Sequence, residues 1–165
     1  MAGRGEKEET QLRGLEISGI TSEDEALVQS SAEYLGPLLP GLLDALYEHL
    51  LSLPETAPFF AGQDIAHRKE ALVAWAGRTS SGPHDERLWK YLSQVGRVHA
   101  GYGIPAYQVV HLMAWVQGNI TAALLASDRP EKAGEAVAWN KLLTAQLDPM
   151  LQPYLEGGAG PARPE

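Results

Sequence analysis

The stretch that decides the fold is LWKYLSQVGRVHAGYGIP, residues 88–105. Four of its residues recur at intervals of four, three and four: Leu88, Leu92, Val95 and His99. This spacing is typical of one face of an amphipathic α-helix, which we expect to run from Glu86 to about Ala100. The run Gly101-Tyr102-Gly103 then ends the helix, because glycine is unfavourable in a helix interior. The pattern therefore predicts a helix that carries an imidazole on its apolar face.

His99 is the residue of this stretch that points to chemistry. A neutral imidazole in an apolar environment needs a partner for its unprotonated nitrogen, and an iron centre is one such partner. A hydrogen-bonded core histidine is the other interpretation and, on spacing alone, the more common one. The other histidines do not pair with carboxylates at the spacing of a zinc site, so we interpret them as surface or hydrogen-bonded residues: His49, His67, His84 and His111.

The composition of the chain predicts its fold class. At 165 residues it is long enough for one globular domain. Leu and Ala together number 45, against 13 for Val and Ile. Since Leu and Ala favour helices and β-branched residues favour strands, we expect an all-α fold. The chain has no cysteine, which excludes a disulfide framework, a thiolate metal site and a cysteine nucleophile.

Charge and missing motifs exclude several function classes. With 13 Lys and Arg against 21 Asp and Glu, the net charge is −8, which argues against a nucleic-acid or anionic-membrane surface. No apolar run is long enough to span a bilayer and no secretory signal opens the chain, so we expect a cytoplasmic protein. The sequence also lacks a P-loop, an HExxH motif and a GxSxG elbow.

Caps and periodicity predict five further helices. They cover about residues 21–35, 40–53, 64–78, 105–126 and 130–155. The Gly- and Ser-rich stretch 77–85 is predicted to form a loop. For the domain organisation, we expect a flexible N-terminal arm at 1–20, one domain at 21–156, and a flexible tail or truncated linker at 157–165.

Two segments resemble those of a known family. VGRVH at 95–99, followed by Gly103-Ile104-Pro105, is similar to the proximal-histidine segment of the globin-coupled sensors and their protoglobin relatives. LYEHLLSLPE at 46–55, running on to Phe59-Phe60, is similar to the B-helix segment of the same family. The resemblance spans about residues 20–156.

The resemblance implies a globin fold with abbreviated N-terminal helices and long last two helices, which binds haem b and senses a diatomic gas (O2, CO or NO). His99 matches the family's proximal iron ligand, and Tyr47 matches the distal tyrosine that hydrogen-bonds O2. Phe59 and Phe60 fall at the turn where globins press an aromatic ring on the haem. The family often has Arg-Ile-Gly where this chain has Gly101-Tyr102-Gly103, so we expect Tyr102 to contact the proximal side instead.

The remaining expected haem contacts are apolar, because an apolar pocket excludes water and holds the porphyrin through a large area of contact. The residues of suitable type are Leu43, Leu50, Phe60, Leu92, Val95 and Val110, with Leu72 and Trp75 as distal candidates and Ile104 beside the glycine break.

Alternatives stay open for the site and for the function. Tyr47 is equally well explained as a core tyrosine bonded to a backbone carbonyl, and His67 is a less favoured candidate for the sixth iron position. We interpret the chain as a binding and sensing domain, not an enzyme. The alternatives are a haem redox enzyme, such as a nitric-oxide dioxygenase or a peroxidase-like protein, and a haem-free globin scaffold of a stress-signalling complex.

The last two helices carry a surplus of apolar residues, which predicts a homodimer through them. These residues are Leu112, Met113, Val116, Ile120, Leu124, Val137, Leu143, Leu147, Met150 and Leu151. The alternative is that haem and core use them all. Many family members continue into a signalling output domain, so the chain is expected to be either a single-domain sensor or an excised input domain.

Overall fold

The computed structural model describes residues 15–157, and within them all regular structure is helical. From residue 22 to residue 156, after a helical turn at 15–17, six α-helices follow one another: α1 (Ser22–Leu35), α2 (Leu39–Ser52), α3 (Ile65–Ser81), α4 (Glu86–Gly101), α5 (Ala106–Leu125) and α6 (Lys132–Glu156). Short 3-10 turns at Gly36–Leu38 and Ala57–Phe60 stand before and after α2. The all-α prediction is confirmed. No helix in this part of the chain is both long and apolar enough to cross a bilayer.

Residues 1–14 of the predicted arm and residues 158–165 of the predicted tail lie outside the described residues. Within the described end of that predicted arm, residues 15–20, Leu15 and Ile20 pack against the core.

The helices begin where the sequence supplies a side-chain cap. Thr21 and Asp24 form a reciprocal capping box at α1, in which each side chain accepts a hydrogen bond from the other residue's backbone N–H. Asp64 accepts from the N–H of His67 at α3, and Asp85 accepts from two backbone N–H groups at α4. Each cap satisfies a donor that the first helical turn leaves unpaired.

The predicted loop 77–85 is wrong over its first half, because α3 continues to Ser81. The Ser81 hydroxyl donates to the carbonyl of Gly77 at 2.6 Å, and Thr79 is fully buried. Burial of Thr79 favours the helix more than the intrinsic preferences of glycine and serine oppose it. The helix ends at Gly82, whose φ of +62° is a conformation that residues with a Cβ rarely adopt.

The core consists of two apolar clusters. The larger cluster joins α1, α4, α5 and α6, and the largest helix–helix interfaces are those of α6 with α4 and α5. The smaller cluster is centred on Leu43, Leu46 and Leu50 of α2 and includes residues from α3 and α5.

The crossing of α4 and α6 depends on one glycine. A Cβ atom at Gly96 would lie 2.1 Å from the carbonyl oxygen of Met150, so the two backbones approach as closely as they do only because Gly96 has no side chain. This crossing fixes the position of the C-terminal half of α4, which carries His99.

Candidate functional site

A cavity of about 580 Å³ adjoins both apolar clusters. Its lining includes Leu43 and Leu50 from the smaller cluster and Val109 and Met113 from the larger one. The wall is predominantly apolar, and no Asp, Glu or Lys is among the described residues that line it. A volume between about 300 and 1,000 Å³ is typical of a small-molecule or cofactor pocket.

His99 lines this cavity near the C-terminal end of α4. Its Nδ1 lies 2.8 Å from the carbonyl oxygen of Val95, one turn earlier in the same helix. Since a carbonyl oxygen only accepts, Nδ1 carries the proton and donates it, and Nε2 keeps its lone pair. Among the described residues Nε2 has no hydrogen-bond partner. A histidine that ligates a metal typically has this arrangement, with one ring nitrogen bonded to protein and the other available to the metal.

Tyr47 is the second polar group of the cavity, and it comes from α2. Its side chain is 6% exposed, and its ring packs edge-on against Phe60 at a centroid distance of 5.6 Å. Burial raises the pKa of Tyr47, and the positive charge of Arg68 acts in the other direction. A phenol whose pKa lies above its ordinary value of 10 keeps its proton at neutral pH and is therefore a donor.

The Tyr47 hydroxyl makes no hydrogen bond to any of the described residues, unlike the hydroxyls of Tyr34 and Tyr154, which also pack against the core. The Tyr34 hydroxyl donates to the carbonyl of Ala123 at 3.0 Å, and that of Tyr154 donates to the carbonyl of Ile104 at 2.8 Å. The carbonyl-bonded interpretation of Tyr47 thus has no partner in the described structure. The hydroxyl is therefore available to donate to a ligand that enters the cavity.

The structure brings most of the other predicted site residues to the same cavity. They are Leu43, Leu50, Phe59, Phe60, Leu72, Trp75, Val95, Tyr102 and Ile104. Tyr102 lies at the rim and is 50% exposed. The backbone N–H of Ile104 donates to the carbonyl of His99 at 3.1 Å, so the glycine break after α4 holds the end of the histidine's helix.

Two predicted contacts, Leu92 and Val110, are not in the cavity wall. Leu92 is fully buried in the larger apolar cluster, because the apolar face of α4 is wide enough to serve both the core and the cavity. Val110 is 37% exposed, and its neighbour Val109 lines the cavity in its place. His67, the candidate for a sixth iron ligand, also lies outside the wall, with its side chain 76% exposed and 3.6 Å from Glu70.

Two tryptophans line the cavity. Trp115, which the sequence analysis did not single out, stacks on His49 at a centroid distance of 5.6 Å. The indole N–H of Trp75, a predicted distal candidate, donates to the buried side-chain oxygen of Gln146 at 2.9 Å, so this N–H already has an acceptor in α6.

Arg68 is the charged residue among the described residues of the cavity wall, and the sequence analysis did not predict it. It precedes Leu72 by four residues and so continues the inward stripe of α3 toward its N-terminus. Its guanidinium donates to the side-chain oxygen of Gln63 at 2.7 Å and to the hydroxyl of Tyr102 at 3.1 Å. A cation placed in register with an apolar stripe was the signal available in the sequence.

Chemically, the site combines an apolar cavity, a neutral imidazole with an available Nε2, and a protonated phenol without a protein acceptor. Imidazole nitrogen is a common ligand of haem iron, and an apolar wall holds a large planar group by contact area. The described residues therefore fit an iron porphyrin better than a hydrophilic substrate. They contain no cluster of His, Asp and Glu that would hold a metal ion by itself.

Comparisons with known proteins are consistent with this geometry. A sequence model of the family Protoglobin matches residues 8–159. Among solved structures, the globin domain of the Geobacter sulfurreducens globin-coupled sensor superposes with a TM-score of 0.79 at 25% sequence identity, over 87% of this chain and 96% of that one. A comparison with curated protein sequences gave no match. The predicted globin fold is thereby confirmed.

Proposed function

The chain belongs to the protoglobin family, and from that premise we propose that it binds haem b in its cavity and senses a diatomic gas, with O2 as the favoured ligand. One observation carries the proposal. A single apolar cavity is lined by an imidazole whose Nε2 has no protein partner and by a buried phenol whose hydroxyl has none. The similarity to a globin domain from a globin-coupled sensor supports the sensing role.

His99 holds the iron in this proposal, and the bond from its Nδ1 to the Val95 carbonyl orients the ring and, in the neutral tautomer, leaves the lone pair on Nε2 for the iron. The apolar side chains from α2, α3, α4 and α5 hold the porphyrin and exclude water. When bound, the haem supplies a ferrous iron that takes O2, CO or NO.

Tyr47 raises the affinity of the site for O2 relative to CO. Its proton is available because burial raises its pKa and because the described protein offers the hydroxyl no acceptor. Bound O2 becomes partly negative and therefore accepts a strong hydrogen bond from the Tyr47 hydroxyl, whereas bound CO gains little charge and accepts a weak one. The phenol therefore stabilises O2 selectively.

Absorption spectra test the haem proposal directly. Purified protein reconstituted with haem is expected to show a Soret band that shifts on reduction and on addition of O2 or CO, and His99→Ala is expected to change these spectra or to lose the haem. His67→Ala removes an exposed imidazole outside the cavity wall and is the matched control, with spectra expected to equal those of the wild type. Wild-type protein without a Soret band after reconstitution would refute the proposal.

We further propose that the domain binds and signals rather than catalyses, and that it does so as a homodimer. Of the ten apolar residues that predicted the dimer, Val137 is 55% exposed, and the other nine are buried or pack within the protomer or line its cavity. Support comes instead from α5, which has no Asp, Glu, Lys or Arg in 20 residues although the chain carries −8. An exposed helix face without charge, bearing Tyr107, Val110 and Leu125, is typical of an interface.

Sedimentation measures the dimer, and a charge tests its location. Ala114→Glu places a carboxylate on the exposed face of α5 and is expected to shift the protein toward monomer with an unchanged Soret band. Ala74→Glu, on an exposed position of α3, is the control and should leave the dimer intact. A wild-type chain that sediments as a 17.8 kDa monomer at micromolar concentration refutes the dimer, and fast NO turnover with a reductant would favour an enzyme instead.

A further inference from the structure

We propose that Arg68 and Tyr102 form a carboxylate-binding clamp at the rim of the cavity, which holds a propionate group of the bound haem. The inference rests on the proposed haem binding and adds the residues that orient the porphyrin within the cavity. It begins with the charge of the wall. Among the described lining residues Arg68 is the one side chain with a permanent charge, and all the others are apolar or neutral.

Arg68 has no carboxylate partner among the residues that the structure describes. Arg129, by contrast, makes a bidentate ion pair with Glu135. Arg68 instead donates only to neutral acceptors, the amide oxygen of Gln63 and the phenol oxygen of Tyr102. A guanidinium has five N–H donors in a planar fork that matches a carboxylate, so these two bonds leave its strongest mode of binding unused.

Gln63 and Tyr102 hold the Arg68 side chain at the rim of the cavity. Arg68 comes from α3, and Tyr102 follows the last turn of α4, the helix of His99. The guanidinium carbon lies 5.1 Å from the centroid of the Tyr102 ring, and the Tyr102 hydroxyl accepts one N–H of the same side chain. The cation–π contact and the hydrogen bond together restrict the guanidinium to a small range of positions, which lowers the entropy cost of binding an anion.

A haem has the matching chemistry, because its macrocycle is apolar and two carboxylates stand on one edge. The apolar wall takes the macrocycle, and the single cation at the rim takes a carboxylate. A carboxylate is a stronger acceptor for a guanidinium than a phenol oxygen is, so the propionate replaces the Tyr102 hydroxyl as the acceptor of the Arg68 N–H. The Tyr102 hydroxyl can then donate its own proton to the same propionate. The clamp therefore determines which edge of the porphyrin faces the rim.

Rates of haem loss to an excess of an apoprotein acceptor test the clamp in the holoprotein. Wild type and Arg68→Leu are each loaded with haem or with haem dimethyl ester, in which both carboxylates are neutral. We expect Arg68→Leu to lose haem roughly 5- to 10-fold faster than wild type, and both proteins to lose the ester at the same rate. Arg68→Lys should fall between them, and Tyr102→Phe, which keeps the ring but not the hydroxyl, should lose haem about twofold faster.

Salt and a matched arginine separate the clamp from a structural role. The ratio of the two haem-loss rates is expected to fall toward one as the salt concentration rises, because an ion pair at the rim is screened. Arg87→Leu removes an exposed arginine at the other end of α4 and should leave the rates unchanged.

Two results would overturn the inference directly: equal rates of haem loss from wild type and Arg68→Leu, or an Arg68→Leu substitution that accelerates the loss of haem and of its ester equally. A third is a changed O2 dissociation rate with an unchanged rate of haem loss, which would mean that Arg68 acts on bound O2 and not on a propionate. Wild-type protein that takes up neither haem nor the ester refutes haem binding itself, which is a different outcome.

Discussion

The substitution Tyr47→Phe tests the site most sharply, because it removes one hydroxyl and keeps the ring against Phe60. A hydrogen bond to a charged or strongly polarised acceptor contributes about 1.5–3 kcal/mol, and each 1.4 kcal/mol is a factor of ten. Tyr47 is 6% exposed and its hydroxyl has no acceptor among the described residues, so no described protein group competes with a bound ligand for its proton. We therefore expect O2 to dissociate roughly 10- to 100-fold faster from Tyr47→Phe.

CO is the internal control for this measurement. It accepts hydrogen bonds weakly, so its dissociation rate should change by less than about threefold. Stopped-flow traces of O2 and CO release from the same reduced preparations give both rates. Tyr34→Phe is the matched variant, because the Tyr34 hydroxyl donates to a backbone carbonyl and lies outside the cavity wall. It should leave both rates unchanged.

Stability gives an independent readout of the same placement. Tyr34→Phe deletes a hydrogen bond and is expected to lower the free energy of unfolding by about 1 kcal/mol. Tyr47→Phe deletes a hydroxyl that the described protein does not bond, so the free energy of unfolding of the haem-free protein should not fall. Equal O2 dissociation rates in wild type and Tyr47→Phe would refute the reasoning and return Tyr47 to a packing role.

Two further predictions concern the scaffold. Gly96→Ala places a Cβ 2.1 Å from the Met150 carbonyl oxygen and should lower the free energy of unfolding, measured by urea titration, by about 2 kcal/mol or more. Gly41→Ala in α2, with no atom within 4 Å of the added carbon, should leave the free energy of unfolding unchanged or raise it by up to about 1 kcal/mol. Hydrogen bonds from Arg129 hold the pKa of the buried Glu135 carboxyl below its ordinary 4.5, so the stabilisation it provides is present above pH 4.5 and is lost as the pH falls through the lowered pKa. Glu135→Gln should accordingly cost about 2 kcal/mol near pH 7 and progressively less in more acidic buffer, and a pH-independent difference would contradict this.

Much of the site could be predicted from short-range patterns. His99 lies on the inward face of α4 because Leu88, Leu92 and Val95 fix the phase of that helix. The bond from its Nδ1 to the Val95 carbonyl spans one helical turn, so the backbone conformation alone places donor and acceptor together. Tyr47 follows in the same way from the periodicity of α2.

The errors fall where periodicity carries little information. The α5 helix has no Asp, Glu, Lys or Arg, so its apolar pattern does not define one inward face. The prediction that Val110 lines the cavity is therefore wrong, and Val109 lines it instead. In α3, local preferences for a loop were overridden by the burial of Thr79. Leu92 was assigned to the correct helix face, but whether that face meets the core or the cavity depends on which helices pack against it.

The sequence by itself determined the helices apart from the end of α3, and the inward positions of His99 and Tyr47, because these follow from interactions within one or two turns. Its composition also excluded any cysteine chemistry. Only the tertiary structure decided the contacts between residues distant in the chain. The hydrogen bond from Arg68 to Tyr102 spans 34 residues, and the approach of Gly96 to Met150 joins two helices that a third one separates in sequence. The physical reason is that the helical period sets which residues share one face of a helix. Whether that face contacts another helix, the cavity or solvent depends on how the six helices from residue 22 onward pack together.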